Sequence, residues 1–370
     1  MNTDYFKEKG VKIERELKER GLYSPIEYPS PVMEDHRITL AQSFPIKAFE
    51  KFLGYFDFQQ NIAFNPSLSF NTDFSLTLSS CMYDERPKLD RVILDGTESE
   101  SYSRKAARAL GIFRKNHNIS GSFIFYVERI KNYGDAKGMS ESSAVASAVS
   151  KSLVANVFRE NDFFEEIASR YARLVSGSGT RAVVDGISLW LSYPGINPEQ
   201  SFAFKVKNSP TRFFYGIFPK YSAIKTDNAH SSIISSVFYE TWIRNKYDAI
   251  QQMLDTDFLM EGLMRRGQDD SLNMHGVLMS VGLSPQTPES ISTIRKLLEF
   301  QKKNEGMFIN ADTGPSIMIS SMDRSLIKEC AGYVGDDFIE GGSSGQKLLS
   351  IEPEFEKRSL EFFSEYKIGT

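Results

Sequence analysis

A two-lobed α+β fold is the architecture this sequence predicts, and three observations carry the prediction. The chain has 370 residues, enough for two domains or one large bilobal unit. Its make-up is 41% hydrophobic and 25% charged, which is ordinary for a globular chain with a sizeable core. Strand and helix signals are interleaved in both halves, without an internal repeat or a low-complexity segment.

Residues 1–35 read as an N-terminal extension. A charged helix runs from Phe6 to Arg20, and GLYSPIEYPSP follows, whose three prolines favour an extended connection. A surface arm is the expectation, with packing against a second subunit as the alternative. From 38 to 129 strand signals dominate: ITLAQSFPI, NPSLSF, FSLTLSSCMY and DRVILDG set β-branched or aromatic residues between turn formers. Residues 100–115 are helical in composition, and GSFIFYVERI returns to strand.

After Asn132 the chemistry changes. NYGDAKGMSESS is a glycine- and serine-rich loop running into AVASAVSKSLVANVF, where Val145, Val149, Leu153 and Val157 recur every four residues. That spacing predicts a helix with a buried face. A second helix, DFFEEIASRYARLV, ends at SGSGTR. FAFKVKN and RFFYGIFPK read as strands opening a second domain, and 228–302 is mostly helical. GMFINADTGPSIMIS reads as two short strands around a Gly-Pro turn, DRSLIKECAGYV as a helix, and the tail from Glu352 as charged and amphipathic. The division is therefore an extension over 1–35, an N-terminal domain over 36–207 and a C-terminal domain over 208–370.

Lys+Arg 44 against Asp+Glu 48 leaves a net charge of -4, which argues against a nucleic-acid binder and leaves room for a small anionic ligand. Cys81 and Cys330 alone make neither a zinc cluster nor a disulfide framework, so a reducing compartment is expected. MNTDYFKEKGVKIEREL has no apolar core of a signal peptide, and no run of 18 apolar residues occurs. A soluble cytoplasmic protein without membrane contact is expected. His36, His117, His230 and His275 lie far apart, so no metal site is expected. Neither a dinucleotide-binding nor a Walker glycine fingerprint is present.

Four segments can carry chemistry. Gly138-Met139-Ser140-Glu141-Ser142-Ser143-Ala144 exposes backbone N–H groups at a helix start, where anions dock; it also reads as an ordinary N-cap. Ser176-Gly177-Ser178-Gly179-Thr180-Arg181 offers hydroxyls and a guanidinium to a carboxylate or phosphate, or is simply a flexible turn. Asp312 in Asn310-Ala311-Asp312-Thr313-Gly314-Pro315 is a strand-end carboxylate or a turn former. Lys51 in Glu50-Lys51-Phe52-Leu53-Gly54-Tyr55 is a lysine in an apolar stretch, where snorkelling is the usual explanation.

In order and spacing, these segments resemble the GHMP superfamily of small-molecule kinases, specifically its mevalonate diphosphate decarboxylase branch. Lys51-Phe52-Leu53-Gly54 resembles K-Y-W-G-K, and Asn65-Pro66-Ser67-Leu68-Ser69 resembles N-S-S-L-S. Gly138 to Ala144 resembles the phosphate loop G-L-x-S-S-A, and Ser176 to Arg181 resembles S-G-S-A-C-R. Ser271-Leu272-Asn273-Met274-His275 loosely echoes S-N-x-F-H, and Asp312-Thr313-Gly314-Pro315 resembles D-A-G-P. The resemblance spans roughly residues 45–320. It implies a GHMP kinase-like fold, with a ribosomal-protein-like N-terminal lobe, a C-terminal α/β sandwich lobe and a site in the cleft between them. It assigns Asp312 as the catalytic carboxylate, Lys51 as the cation beside it and Arg181 as the holder of a substrate anion. Ser176, Ser178, Ser142, Ser143, Tyr55 and Asn65 become substrate-binding residues.

Two departures refine the expectation. The phosphate loop is one residue longer and contains Glu141, a charge that would repel a triphosphate unless a metal or a lysine such as Lys137 offsets it; Gly134 replaces the loop's usual proline. Tyr55 stands where the branch carries a lysine for the 5-diphosphate. Both losses point to the variant that decarboxylates mevalonate 3,5-bisphosphate to isopentenyl phosphate, CO2 and phosphate without ATP. The expected partner is a small phosphorylated substrate, the expected assembly a homodimer, and no cofactor is expected. The alternatives are an ATP- and Mg-dependent (di)phosphomevalonate decarboxylase, a kinase that stops at the 3-phosphate, and a non-catalytic relative.

Overall fold

Helix α1 (Thr3–Glu19) starts at Asn2, whose side chain accepts the Tyr5 amide at 3.1 Å. Its Phe6, Gly10, Ile13 and Leu17 form one buried stripe. Phe6 stacks on Tyr247 at 5.6 Å, and Gly10 lies so close to the Tyr193 ring that a Cβ there would sit 2.1 Å from a ring carbon. The segment is thus not a surface arm. Its charged residues, which suggested one, are the outer face of a docked amphipathic helix. The computed structural model describes residues 1–86, 88–159, 162–207, 213–221, 227–342 and 353–368.

The first half continues through β1 (Ile38–Ser43), β2 (Ile46–Glu50), β3 (Tyr55–Asp57), β4 (Ile62–Ala63), β5 (Ser67–Asn71), β6 (Ser75–Asp84), β7 (Arg91–Leu94) and β8 (Thr97–Glu98). Then come α2 (Glu100–His117), β9 (Ser122–Lys131), α3 (Glu141–Val157), α4 (Phe164–Val175), α5 (Gly179–Ala182), β10 (Ile187–Trp190) and β11 (Ala203–Lys207). One sheet has the order β1-β6-β9-β7-β8, with β7 and β9 its parallel pair, and a second has the order β11-β10-β5-β2. Although FAFKVKN reads as a strand opening the second domain, Ala203–Lys207 pairs antiparallel with β10 and completes a first-half sheet, within the 36–207 bounds.

Helix α3 is buried nearly all round, including Val145, Val149, Leu153 and Val157. Small side chains permit this, because each buried serine finds a partner. Ser147 receives the Ser43 hydroxyl at 2.7 Å, Ser150 donates to the Ala168 carbonyl at 2.6 Å, and Ser152 meets Ser79 at 3.0 Å.

The second half comprises β12 (Phe214–Phe218), α6 (Asp227–Ser232), α7 (Tyr239–Asp255), α8 (Met260–Met279), α9 (Pro288–Gln301), β13 (Met307–Ala311), β14 (Ile317–Ser321), α10 (Arg324–Val334), β15 (Ile339–Glu340) and α11 (Pro353–Ile368). Its sheet runs β13-β14-β12-β15, antiparallel throughout. The halves share one core: Phe49 of β2 approaches Phe213 at 6.3 Å, and Phe70 of β5 approaches Tyr215 at 5.4 Å. Glu352, where the sequence reading starts the tail, lies outside the described residues. Helix α11 returns to the first sheet, burying Phe363 against Met82 and Ile124 and pairing Arg358 with Glu128 at 2.7 Å. Among the described residues, no helix is long and apolar enough to cross a membrane.

Candidate active site

Asp312 follows β13 and meets two lysines from β2 and its end. Lys47 Nζ lies 2.8 Å from Oδ2 and Lys51 Nζ lies 3.5 Å from Oδ1. The strands are tied by Asn310, which donates to the Ala48 carbonyl at 2.8 Å and accepts from Lys51 Nζ at 2.9 Å. Burial alone would raise the Asp312 pKa, but Lys47, then Lys51 and Arg181, outweigh it and hold the carboxyl below its ordinary value. Asp312 is an ionised carboxylate.

Arg181, on α5, spends one guanidinium nitrogen on the Leu68 carbonyl at 3.3 Å and packs over the Phe52 ring. Its Nε is buried without a hydrogen-bond partner among the described residues, and burial lowers its pKa to about 10. A buried donor left open in this way suits an anion arriving from outside.

Behind Lys51 lies a buried charge network. Lys246 bridges Glu50 at 2.7 Å and Asp270 at 2.5 Å, and Arg266 holds the other Glu50 oxygen at 2.7 Å. Asp270 also accepts the Lys51 amide at 2.8 Å and the Trp242 indole at 2.9 Å. Burial opposes its charge, yet Lys246, Lys51 and Arg266 together keep its pKa low. From α8, His275 Nε2 donates to the Asp312 carbonyl at 3.0 Å, and burial lowers its pKa, which keeps the ring neutral. Such buried ion-pair networks fix geometry more than they add stability.

The glycine-serine loop closes the site from the other lobe. Ser140, the residue before α3, has φ 57, and Glu141 occupies the first turn. Arg129 meets Glu141 at 2.7 Å and Lys131 approaches at 3.8 Å. The offset expected from Lys137 therefore comes from these two β9 cations instead, whose side chains reach α3 across the loop. Lys137 itself bonds through its backbone: its amide donates to Lys220 O at 2.9 Å and its carbonyl accepts from the Ser316 amide at 3.3 Å. Gly138, at φ 85, packs directly on Gly314.

A cavity of about 880 Å³ opens between these walls. Asp312, Lys51, Arg181, Ser142, Ser176, Ser178 and Tyr55 all line it. Asn65 and Ser143 do not. Asn65 Nδ2 donates to the Lys51 and Pro66 carbonyls, while Ser143 Oγ donates to Ser140 O at 2.6 Å, so both brace the wall from behind. Arg104, Lys105, Arg108 and His230 line the cavity as well. His230 stacks on Tyr55 at 4.8 Å and accepts the Gly54 amide on Nδ1 at 3.1 Å. Burial raises the Tyr55 pKa to about 12, so it faces the cavity as a neutral phenol. The sequence reading passes over Lys47, His230 and the Asp270 network. For Lys47 the available signal is a second lysine in an otherwise apolar strand; for the others there is no local signal.

Residues 43–203 match the diphosphomevalonate decarboxylase-like N-terminal domain family. A protein named mevalonate 3,5-bisphosphate decarboxylase from Thermoplasma acidophilum is 48% identical over 358 residues, covering 96% of this chain and 88% of its own length. Its namesake from Thermoplasma volcanium is 46% identical, covering 100% of this chain and 99% of its own. Among solved structures, mevalonate diphosphate decarboxylase from Staphylococcus aureus superposes with TM-score 0.71 at 16% identity, over 85% of this chain and 99% of that one. Mevalonate-3-kinase from Thermoplasma acidophilum gives 0.67 at 14%, over 85% and 98%. These two likenesses establish the fold as the expected GHMP type.

Proposed function

We propose that this chain, which belongs to the mevalonate 3,5-bisphosphate decarboxylase family, converts mevalonate 3,5-bisphosphate to isopentenyl phosphate, CO2 and phosphate without ATP. The C3–O bond breaks and its electron pair leaves with phosphate, so a tertiary cation develops at C3. The C1–C2 bond then breaks, its electrons form the C2–C3 double bond, and CO2 departs. Asp312 is the fixed negative charge beside the developing cation, which stabilises it without reorganisation. Arg181, with its open buried Nε, receives the substrate carboxylate. Arg104, Lys105, Ser176 and Ser178, which line the same cavity, receive the 5-phosphate.

One observation carries the nucleotide-free reading. The start of α3, a natural anion site, carries the chain's own Glu141, paired with Arg129 and Lys131, and the loop before it is hydrogen-bonded to Lys220 after β12 and to Ser316 before β14. A titration with ATP and Mg²⁺ in the presence of mevalonate 3-phosphate analogues tests it. No saturable binding at millimolar nucleotide is expected; micromolar affinity would return the chain to the ATP-dependent alternative. The same reading makes the enzyme a cytoplasmic homodimer. Unpaired Cys81 and Cys330 support the compartment, and exposed Val237, Phe238 and Met279, brought to one surface by the Ser236–Ser280 hydrogen bond, support a second copy as partner.

A further inference from the structure

We infer that Lys47 is a positioning residue that holds Asp312 as a fixed counter-charge and denies it the work of a general base. The inference rests on the reaction proposed above and explains why that reaction needs its leaving group attached in advance. Phosphorylating a tertiary hydroxyl in place requires a base with an open oxygen and a pKa near working pH. In Asp312 each oxygen faces a lysine instead, and the surrounding cations hold its pKa below the ordinary value. Lys47 covers Oδ2 at 2.8 Å and Lys51 stands 3.5 Å from Oδ1.

The two lysines do different things. Lys51 lines the cavity, but it donates to the Ala48 carbonyl at 3.0 Å and to Asn310 at 2.9 Å, and meets Asp312 as an ion pair at 3.5 Å. Lys47 sits behind the cavity wall at 3% exposure and reaches the Gly138 carbonyl at 3.4 Å as well as Asp312. It therefore joins the glycine loop of one lobe to the carboxylate of the other, and it acts on substrate only through Asp312. Among the described residues, the other charged or titratable groups around Asp312 are Arg181 from α5, His275 from α8 and, through Lys51, Asp270 and Lys246. The inner set is three cations, Lys47, Lys51 and Arg181, around one carboxylate. That excess is answered by the anions a preloaded substrate brings, its carboxylate and its 3-phosphate.

The experiment follows the Asp312 carboxyl carbon by NMR in ¹³C-aspartate-labelled protein without substrate, its resonance identified by its loss in Asp312→Asn. In Lys47→Met the titration midpoint should rise by at least about one unit, the effect of removing a cation in contact. In Lys47→Arg it should stay near the parent value. With mevalonate 3,5-bisphosphate, Lys47→Met should lose at least about tenfold in kcat with little change in KM, and the acid limb of its pH profile should move to higher pH. Lys47→Gln, which keeps a hydrogen-bonding group without charge, replaces Lys47→Met if thermal melting shows the latter unfolded. An unchanged midpoint in the uncharged variant overturns the role of Lys47 and leaves the proposed reaction standing. Failure of the parent protein to turn over the bisphosphate overturns the reaction and leaves the titration result intact.

Discussion

Gly138 and Gly314 touch backbone to backbone across the two lobes: a Cβ added to Gly314 would stand 2.4 Å from the Gly138 Cα. The glycine-serine loop and the turn bearing Asp312 can close on each other only because neither carries a side chain here. Asp312 lies two residues before Gly314, in the same turn. Gly314→Ala should therefore cost about 1–3 kcal/mol of stability through overpacking and lower kcat at least about tenfold by displacing Asp312. Melting curves beside steady-state kinetics check this, and a variant with parental values in both would mean the seam yields freely.

Asp312→Asn keeps the shape of the carboxylate and removes its charge. A kcat loss on the order of 10²-fold or more is expected, with a smaller change in KM, because the charge matters most when the cation develops. A variant with near-normal kcat would remove Asp312 from the mechanism.

Glu141→Gln removes the carboxylate from the first turn of α3 and releases Lys131, while Arg129 keeps Asp95 at 2.6 Å. Inorganic phosphate should then bind about two- to fivefold more tightly, the value of an uncompensated helix start. Calorimetric titration of both proteins reads the difference; equal affinities would show that Glu141 does not guard the loop.

Asp336 contributes a pH dependence of stability. Burial opposes its charge, but hydrogen bonds from Lys220, Thr293 and Lys296 outweigh this and lower its pKa to about 2. A depressed carboxylate stabilises the fold above its unfolded pKa and loses that contribution as pH falls through the folded one. Asp336→Asn should thus melt below the parent at neutral pH, and the gap should shrink between pH 3.8 and about 2. A pH-independent gap would assign the effect to packing.

Short-range pattern made part of this molecule legible. Asp312, Lys51 and Arg181 sit in brief motifs whose order survives in the chain, and they do converge on one cavity. The four-residue recurrence of Val145 to Val157 marks a buried helix correctly. What sequence could not carry was partnership at a distance. Glu141 is neutralised from β9 rather than by its near neighbour Lys137, and Lys47 gains meaning only when β13 brings Asp312 beside it. The docking of α1 and the return of α11 to the first sheet depend likewise on faces presented by remote elements.

The most direct test of the account incubates the protein with mevalonate 3,5-bisphosphate alone and measures CO2 and inorganic phosphate together. The account predicts equimolar release at a rate unaffected by added ATP and Mg²⁺, with a terminal alkene in the product. Turnover that appears only with ATP and a 3-hydroxy substrate would contradict it.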